Sequence, residues 1–236
     1  MQIRINKFLA AAGFGSRRGV EILVEKGQVK INNRCAKLSD KINPEVDIVL
    51  VNNKIIKPRQ SLVYYAINKP VGYTSTVRDV YAQKLVTNLV PKTPRVFPVG
   101  RLDRNSHGLM ILTNDGDLAN RLTHPKFRHE KEYEVKIKSQ FPISNIKRTI
   151  EKLIKGVRLE EGLVKADQVE IIRFNSDKNM ATLKIILHQG LKRQIRRMCE
   201  RVKLSILDLK RIRIGKLILD DLPEGKYKSI KKEDIL

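Results

Sequence analysis

The sequence predicts an α+β fold in which a small α-α-β-β module precedes a larger domain with a mixed, largely antiparallel sheet and flanking helices. Two helical patterns and then two strand patterns occupy residues 1–57. A polar, proline-containing stretch follows, and from Tyr64 onward strand and helix patterns are segregated along the chain, as in α+β domains. We therefore predict a module at 1–57, a linker at 58–63 and a larger domain at 64–236.

Charge is the strongest feature of the composition. The 236 residues include 48 Lys and Arg against 25 Asp and Glu, a formal net charge of +23. A compact fold with this charge repels itself unless its usual neighbour is a polyanion, so nucleic acid is the first partner to consider. A merely solubilised surface, a lysine bias of the genome and binding to a membrane surface are the alternatives.

Other classes of protein are disfavoured by what the sequence lacks. It has no run of about eighteen apolar residues and no apolar signal-peptide core near Met1, so we expect a cytoplasmic protein that does not enter a membrane. Cys35 and Cys199 lie far apart and neither belongs to a Cys-x-x-Cys pair. A disulfide framework and a metal site are therefore not expected.

The small module is predicted from the spacing of its apolar residues. Two stretches have helical spacing, and Gly13 and Gly27 end them. Ser16 is the predicted N-cap of the second helix, which runs to about Lys26. Strands are predicted at 29–31 and 47–51. The apolar residues that define the helices are Ile5, Phe8, Leu9, Ala12, Val20, Leu23 and Val24.

Cations at the start of the second helix suggest a ligand for the module. Arg17 and Arg18 lie in its first turn, where the helix dipole disfavours positive charge. A bound phosphate would reverse that balance. Residues 1–57 contain eleven Lys or Arg and five Asp or Glu. The module is either an RNA-docking unit or a unit with a solvated basic face.

The larger domain contains one acidic residue in basic surroundings. Residues 95–113 predict a strand, a glycine-bounded polar loop and a second strand, and Asp103 lies in that loop. Arg101 and Arg104 flank Asp103 and favour its ionised form. The residues alone support two interpretations equally, a turn-forming aspartate and a catalytic carboxylate.

A basic helix further along the chain offers a partner for Asp103. Residues 190–199 are predicted to open a helix whose apolar stripe is formed by Ile195, Met198, Cys199 and Val202. Arg196 lies about 110° from the centre of this stripe, at an edge from which a side chain reaches a cleft. Between residues 190 and 216 there are ten Lys or Arg and two Asp or Glu, enough to contact several phosphates unless this face is only solvated.

Several motifs in order resemble the RsuA family of ribosomal pseudouridine synthases over nearly the whole chain. Any one of them alone would be weak, but their order and spacing together are specific. Within this group, which includes the large-subunit synthases B, E and F, the resemblance is strongest to the F type. The motifs are Gly15-Ser16-Arg17-Arg18, Asn68-Lys69-Pro70-Val71-Gly72, Gly100-Arg101-Leu102-Asp103, Lys131-Glu132-Tyr133 and Arg193-Gln194-Ile195-Arg196-Arg197-Met198-Cys199.

The resemblance implies a fold, a reaction and a substrate. Residues 1–57 would form an S4-like RNA-binding domain, and residues 64–236 a pseudouridine synthase domain. The enzyme would isomerise a specific uridine in ribosomal RNA, most simply of the large subunit. Because the reaction adds no atoms, no cofactor is implied, and we expect a monomer. The second helix of the module departs from the family at Gly19, where a better helix former is usual.

The resemblance also assigns roles to residues. Asp103 would be the essential carboxylate, which either attacks the sugar or removes a proton from it. Arg196 would pair with Asp103, and Tyr133 would pack against the target base, although a half-buried strand tyrosine is the plain alternative. Lys69 and Pro70 resemble a motif that supports the active-site loop. The candidate RNA contacts are Arg4, Lys7, Arg17, Arg18, Lys30, Arg101, Arg104, Lys192, Arg193 and Arg197.

Two other classes of function share the charge and the small module. A non-catalytic RNA-binding or ribosome-assembly protein would have no chemical reason to retain Asp103, Tyr133 and Arg196 together. A tyrosyl-tRNA synthetase or a methyltransferase would need signatures that the chain lacks, namely His-Ile-Gly-His, Lys-Met-Ser-Lys-Ser or Gly-x-Gly-x-x-Gly.

Overall fold

A computed structural model of the chain describes residues 2–57, 61–79, 81–139 and 146–236. The chain divides into two compact units. The first consists of Met1–Leu62 with Thr93–Arg95 and Asn114–Gly116, and the second contains the rest. Residues 58–60 of the predicted linker lie outside the described residues, and the boundaries at 57 and 64 stay a prediction.

Two helices of the first unit form as the sequence predicts. They are α1 (Ile5–Ala11) and α2 (Arg17–Glu25). The Ser16 hydroxyl accepts a hydrogen bond from the Gly19 amide at 2.9 Å and so caps α2. A Cβ on Gly19 would lie 3.0 Å from that hydroxyl oxygen. A larger residue would therefore crowd the cap, which accounts for a glycine where the family usually has a better helix former. Apolar residues of both helices pack into one core with Val29, Ile31 and Val49.

More strands form in the first unit than the two predicted. A four-stranded antiparallel sheet has the order β3-β2-β5-β6, and β1 pairs with β4. The prediction of a strand from Asp47 was wrong at its start, because the Asp47 carboxylate accepts hydrogen bonds from the Asn43 amide and the Asn32 side chain, both at 2.7 Å, and thus closes a turn. The strands are β1 (Ile3–Arg4), β2 (Val29–Ile31), β3 (Arg34–Cys35), β4 (Lys41–Ile42), β5 (Val49–Val51) and β6 (Lys54–Ile55).

The second unit is built on a mixed sheet, which confirms the predicted α+β class. In the described residues nine strands join it, in the order β13-β14-β10-β15-β9-β7-β17, with β16 beside β15 and β8 beside β9. The strands are β7 (Tyr64–Lys69), β8 (Phe97–Val99), β9 (His107–Thr113), β10 (Lys131–Ser139), β13 (Gln168–Asn175), β14 (Met180–Leu187), β15 (Leu204–Ile214), β16 (Leu217–Ile218) and β17 (Tyr227–Ser229). A separate hairpin consists of β11 (Val157–Leu159) and β12 (Gly162–Val164).

Within the described part of the chain, three helices accompany this sheet: α3 (Gly116–Thr123), α4 (Ile146–Lys155) and α5 (Gln194–Arg201). The prediction that a helix opens at residue 190 was early by four residues. Arg193 has a φ of +52°, in the left-handed region, and the Leu191 amide donates to the Gln194 side chain at 3.1 Å, so the chain turns before α5 begins. Among the described residues, no helix has the length and apolar character needed to cross a bilayer.

Strand β9 is the centre of the second unit. Its residues Leu109 to Leu112 are fully buried and alternate between two apolar clusters, Met110 and Leu112 in one and Leu109 and Ile111 in the other. A strand that is covered on both faces is expected to be apolar throughout, as this one is. It pairs antiparallel with β7 and β8, and parallel with β15 through Arg211 and Gly108.

Replacing Gly108 by Ala should destabilise the second unit by more than about 2 kcal/mol. A Cβ there would lie 2.3 Å from the Arg211 carbonyl oxygen, and the φ of +102° strains any other residue. Gly116→Ala is the matched control, because nothing lies within 4 Å of its Cβ position. Urea unfolding of both variants measures the effect, and equal stabilities would contradict this account of the β9–β15 contact.

Candidate active site

The loop that carries Asp103 connects β8 to β9, as the sequence predicts, and a buried lysine holds its backbone. The Lys69 ammonium, at the end of β7, donates to the carbonyl oxygens of Ser106 at 2.7 Å, of Pro70 at 3.0 Å and of Asp103 at 3.2 Å. The three acceptors match the three N–H groups of an ammonium. Lys69 is completely buried, so these bonds replace the water that it loses.

The remaining carbonyls of the loop are bound from other directions. The Ser75 hydroxyl donates to the Leu102 carbonyl at 2.7 Å and accepts from the Leu102 amide at 3.1 Å. The Gly72 amide donates to the Arg104 carbonyl at 2.8 Å. The Asn105 carbonyl accepts from Arg196 Nη2, also at 2.8 Å. All five consecutive carbonyls from residue 102 to residue 106 thus have donors, and the backbone around Asp103 is fixed independently of the Asp103 side chain.

Burial of Lys69 has an electrostatic consequence. Loss of solvent, together with the nearby Arg211 cation, lowers the pKa of Lys69 to about 8, while Asp103 and Glu224 oppose the change. The sequence motif indicated a supporting role for Lys69 but not its burial, because a lysine at a strand end is ordinarily solvated.

A pocket opens beside Asp103, and the three predicted catalytic side chains all line it. Its walls come from the Asp103 loop, from β10, from β15 and from the turn that leads into α5. The lining residues are Arg101, Leu102, Asp103, Ser106, Tyr133, Leu187, Gln189, Gly190, Leu191, Arg193, Gln194, Ile195, Arg196 and Leu209.

Two arginines face the Asp103 carboxylate. Asp103 Oδ2 lies 3.9 Å from both Arg193 Nη1 and Arg196 Nε, which is ion-pair distance but too long for a hydrogen bond. Arg196 Nη2 instead binds the Asn105 carbonyl and, at 3.2 Å, the Ser106 hydroxyl. Arg196 Nε is buried and has no acceptor within the described residues. A shift of the carboxylate by about 1 Å would supply one.

Tyr133 is a buried strand residue that also lines the pocket. It lies in the middle of the sheet on β10, opposite Ile185 of β14 and Arg211 of β15, and only 9% of it is exposed. The exposed part belongs to the pocket wall. A strand tyrosine can therefore also present its ring to a ligand.

The other predicted residues of the second unit fall into two groups. Arg101 and Arg193 line the pocket, whereas Arg104 and Lys192 are exposed and do not line it. Arg197 faces elsewhere, because its guanidinium binds both carboxylate oxygens of Glu161, at 2.8 and 2.9 Å.

The predicted RNA contacts of the first unit have varied surroundings. Arg4, Arg17 and Arg18 are exposed, and Lys7 is half-buried. Lys30 Nζ donates to the Asn53 side chain at 3.2 Å. Their roles in binding RNA stay predictions.

Sequence reasoning missed several residues that shape the site. Ser75 fixes the peptide next to Asp103 from a segment without regular structure, and no periodicity marks it. Leu187 and Leu209 line the pocket from two further elements, β14 and β15.

Family comparison agrees with this geometry. Residues 63–201 match the family described as RNA pseudouridylate synthase, and residues 3–48 match the S4 domain. The chain therefore belongs to the RNA pseudouridine synthase family, with an S4 domain ahead of the synthase domain. Members of this family are isomerases, and the chain is an RNA pseudouridine synthase of the RsuA-like type that the motifs resemble.

Similar proteins extend over the full chain. An uncharacterized RNA pseudouridine synthase of Aquifex aeolicus is 39% identical over 100% of the chain and 93% of its own length. The ribosomal large subunit pseudouridine synthase B of Bacillus subtilis is 34% identical over 98% of the chain and 93% of its length. The dual-specificity RNA pseudouridine synthase RluF of Escherichia coli K12 is 36% identical over 99% of the chain and 77% of its length.

Solved structures confirm the predicted fold. A crystal structure of a pseudouridylate synthase aligns over 99% of the chain and 98% of its own, with a TM-score of 0.64 and 23% identity. A second likeness, to an archaeal box H/ACA Nop10–Cbf5 complex, covers 67% of the chain and 49% of its own, with a TM-score of 0.50 and 18% identity. At these identities the likeness concerns the fold alone.

Lys69 should make stability depend on pH in a defined window. Its pKa is about 8 in the folded protein and near 10.5 when solvated, so between these values the unfolded chain binds more protons. The unfolding free energy of the wild type, minus that of Lys69→Met, should therefore rise with pH across this window, by up to about 1.4 kcal/mol per pH unit. Urea unfolding of both proteins from pH 7.5 to 10.5 measures it, and a flat difference would show that Lys69 keeps an ordinary pKa.

Proposed function

We propose that this enzyme converts a uridine of ribosomal RNA, in the large subunit, to pseudouridine, with Asp103 as its catalytic carboxylate. The observation that carries the proposal is the convergence of Asp103, Tyr133 and Arg196 on one pocket. These side chains come from three separate parts of the chain, and a protein that only binds RNA has no chemical reason to assemble them. Asp103 is partly exposed, with 32% of its side chain accessible, and can therefore be reached by a substrate.

The reaction needs a carboxylate that is held still and ionised. The bond between the base and its ribose breaks, the detached uracil turns, and a ring carbon rejoins the sugar, so that no atom is gained or lost. Asp103 either attacks the sugar or removes a proton from it, and both roles require the anion. Arg193 and Arg196, each 3.9 Å from Oδ2, stabilise that anion without blocking it by a hydrogen bond.

Arg196 acts as a positioning residue in this scheme. Its Nη2 group holds the Asn105 carbonyl and the Ser106 hydroxyl, while its Nε–H points toward the carboxylate with no acceptor of its own among the described residues. When substrate draws the carboxylate closer, a charge-assisted hydrogen bond to Nε would stabilise the new position. Tyr133 supplies the ring against which the base packs.

A uridine inside folded RNA must leave its stack before Asp103 can reach the sugar. Unstacking costs a few kcal/mol, which contacts to phosphates and aromatic rings offset. Arg101 and Arg193 on the pocket wall and Arg104 and Lys192 outside it are the proposed phosphate contacts near the site. Arg4, Lys7, Arg17, Arg18 and Lys30 are the proposed contacts of the S4 domain. Arg197 would first have to exchange its bond with Glu161 for a phosphate.

Support for the substrate comes from the relatives. One is named a ribosomal large subunit pseudouridine synthase, and the net charge of +23 suits a polyanion. A ribosomal RNA substrate is also consistent with the predicted location of the enzyme in the cytoplasm. The identities to the B-type and F-type relatives, 34% and 36%, are close, so the F-type assignment stays a prediction. Mapping pseudouridines in ribosomal RNA from cells with and without the gene would identify the nucleotide, and identical maps would reject the substrate.

Asp103→Asn should abolish conversion of uridine in an unmodified large-subunit rRNA transcript while leaving the dissociation constant within about threefold. The amide has the same shape but can neither attack nor accept a proton, and the backbone contacts that fix the loop are untouched. Asp177→Asn, in the exposed turn between β13 and β14, is the control and should behave as the wild type. Retained activity in Asp103→Asn would exclude the proposed chemistry.

Arg196→Gln should lower kcat by about a hundredfold or more, with a smaller effect on KM, because the loop and the carboxylate lose their shared support. Arg201→Gln is a matched control from the same helix, since Arg201 is exposed and does not line the pocket. Single-turnover kinetics on the same transcript separate the two constants. Equal losses in both variants would mean that the effect arises from the helix rather than from the site.

A further inference from the structure

The segment from His124 to His129, which we call the aromatic turn, follows α3 and has a rigid backbone. Pro125 restricts the start of the turn, and Arg128 has a φ of +48° at its end. The Phe127 amide donates to the His124 carbonyl at 3.1 Å, and the Arg128 amide donates to the Pro125 carbonyl at 3.2 Å. The side chains of this turn are thus presented from a preorganised backbone, which lowers the entropic cost of binding a ligand.

Aromatic rings and a cation cluster on the turn. The Phe127 side chain is 39% exposed, although apolar rings are usually buried. The Lys126 ammonium lies 4.7 Å from the centre of the Phe127 ring. The rings of His124 and His129 lie 6.2 and 6.4 Å from it. An exposed ring bordered by cations is the arrangement on which single-stranded nucleic acids stack.

The electrostatic surroundings of the turn are positive. Burial lowers the pKa of His129, and the Arg121 and Lys131 cations lower it further. The adjacent Glu130 carboxylate does not compensate, because it accepts a hydrogen bond from Arg213 at 3.0 Å. A phosphate near Lys126 and Arg128 would therefore meet a favourable potential.

Contacts on both sides of the aromatic turn lead to chain neighbours of the residues that line the pocket of Asp103. At its start, Thr123 Cγ2 lies 3.6 Å from where a Cβ on Gly100 would be, and Gly100 precedes Arg101 of the pocket wall. At its end, Lys131 Nζ donates to the carbonyls of His129 at 3.3 Å and of His188 at 3.5 Å. His188 precedes Gln189, which also lines the pocket.

We propose that the aromatic turn binds an unpaired nucleotide of the substrate RNA next to the target uridine, with its base stacked on Phe127 and its phosphates contacted by Lys126 and Arg128. This inference rests on the proposed function. Extrusion of the target uridine leaves its neighbours without a stacking partner, and the exposed Phe127 ring supplies one. Stacking of one base on an aromatic side chain contributes about 1–3 kcal/mol, which offsets part of the cost of extrusion.

The stacking contact is tested with Phe127→Leu, which keeps an apolar side chain but removes the ring. The dissociation constant and KM for an unmodified large-subunit rRNA transcript should rise about tenfold, with kcat at saturation within about twofold. Phe127→Tyr should restore binding, because a tyrosine also stacks. Phe174→Leu, on the edge strand β13 and 50% exposed, is the matched control and should bind as the wild type does.

The phosphate contacts are tested by the salt dependence of binding. Lys126→Gln and Arg128→Gln should each reduce the slope of log K against log salt concentration by about 0.7, the value for one contact to a single strand. Lys178→Gln, in the turn between β13 and β14, is the control and should leave the slope unchanged. Unchanged slopes in the first two variants would overturn the phosphate contacts.

Because binding is measured separately from conversion, the two proposals can fail separately. If Phe127→Leu binds the transcript as tightly as the wild type does, the stacking proposal is contradicted, whether or not uridine is converted. A transcript that is bound through Phe127 but never converted would reject the proposed substrate and still support the stacking contact.

Discussion

The geometry of the candidate site depends on one buried cation. The Lys69 ammonium binds three carbonyl oxygens, two of them in the loop that carries Asp103, and it does so without solvent. The other carbonyl oxygens of the loop accept hydrogen bonds from Ser75, Gly72 and Arg196. Because an uncompensated buried charge costs far more than a hydrogen bond returns, the loop and the lysine keep each other in place.

The sheet explains why such an arrangement is available. Strand β9 is buried on both faces and begins directly after the loop, so the end of the loop is anchored in the core. Strand β9 pairs in parallel with β15, and β15 pairs with β10. These two strands carry Leu209 and Tyr133, which both line the pocket. The catalytic candidates therefore lie on a strand of the sheet, on helix α5 and on a loop that is held by its backbone, which suits a site that must position a flexible RNA.

Sequence patterns predicted the parts of this structure that depend on local rules. The capped helix after Ser16, the strand–loop–strand unit around Asp103 and the helix with Arg196 all follow from spacing and capping. The patterns failed where long-range contacts decide. Burial of Lys69 depends on acceptors that lie up to 37 residues away, and Arg197 is drawn away from the pocket by Glu161. The late start of α5 has a local cause, the left-handed backbone of Arg193, which the spacing of apolar residues does not reveal. Composition indicated nucleic acid, and the prediction that Asp103 is a catalyst rather than a turn residue rests on the order of the motifs.

The way in which the Asp103 loop is held separates its shape from the identity of its side chains. Carbonyl oxygens are common to all amino acids, so the contacts at Arg104 and Asn105 would persist if other residues stood there. Substitutions at these two exposed positions could suit a different RNA, while the backbone of Asp103 stays in place. The shape of the loop is thus set by its backbone contacts, and the side chains at residues 104 and 105 can differ without altering it.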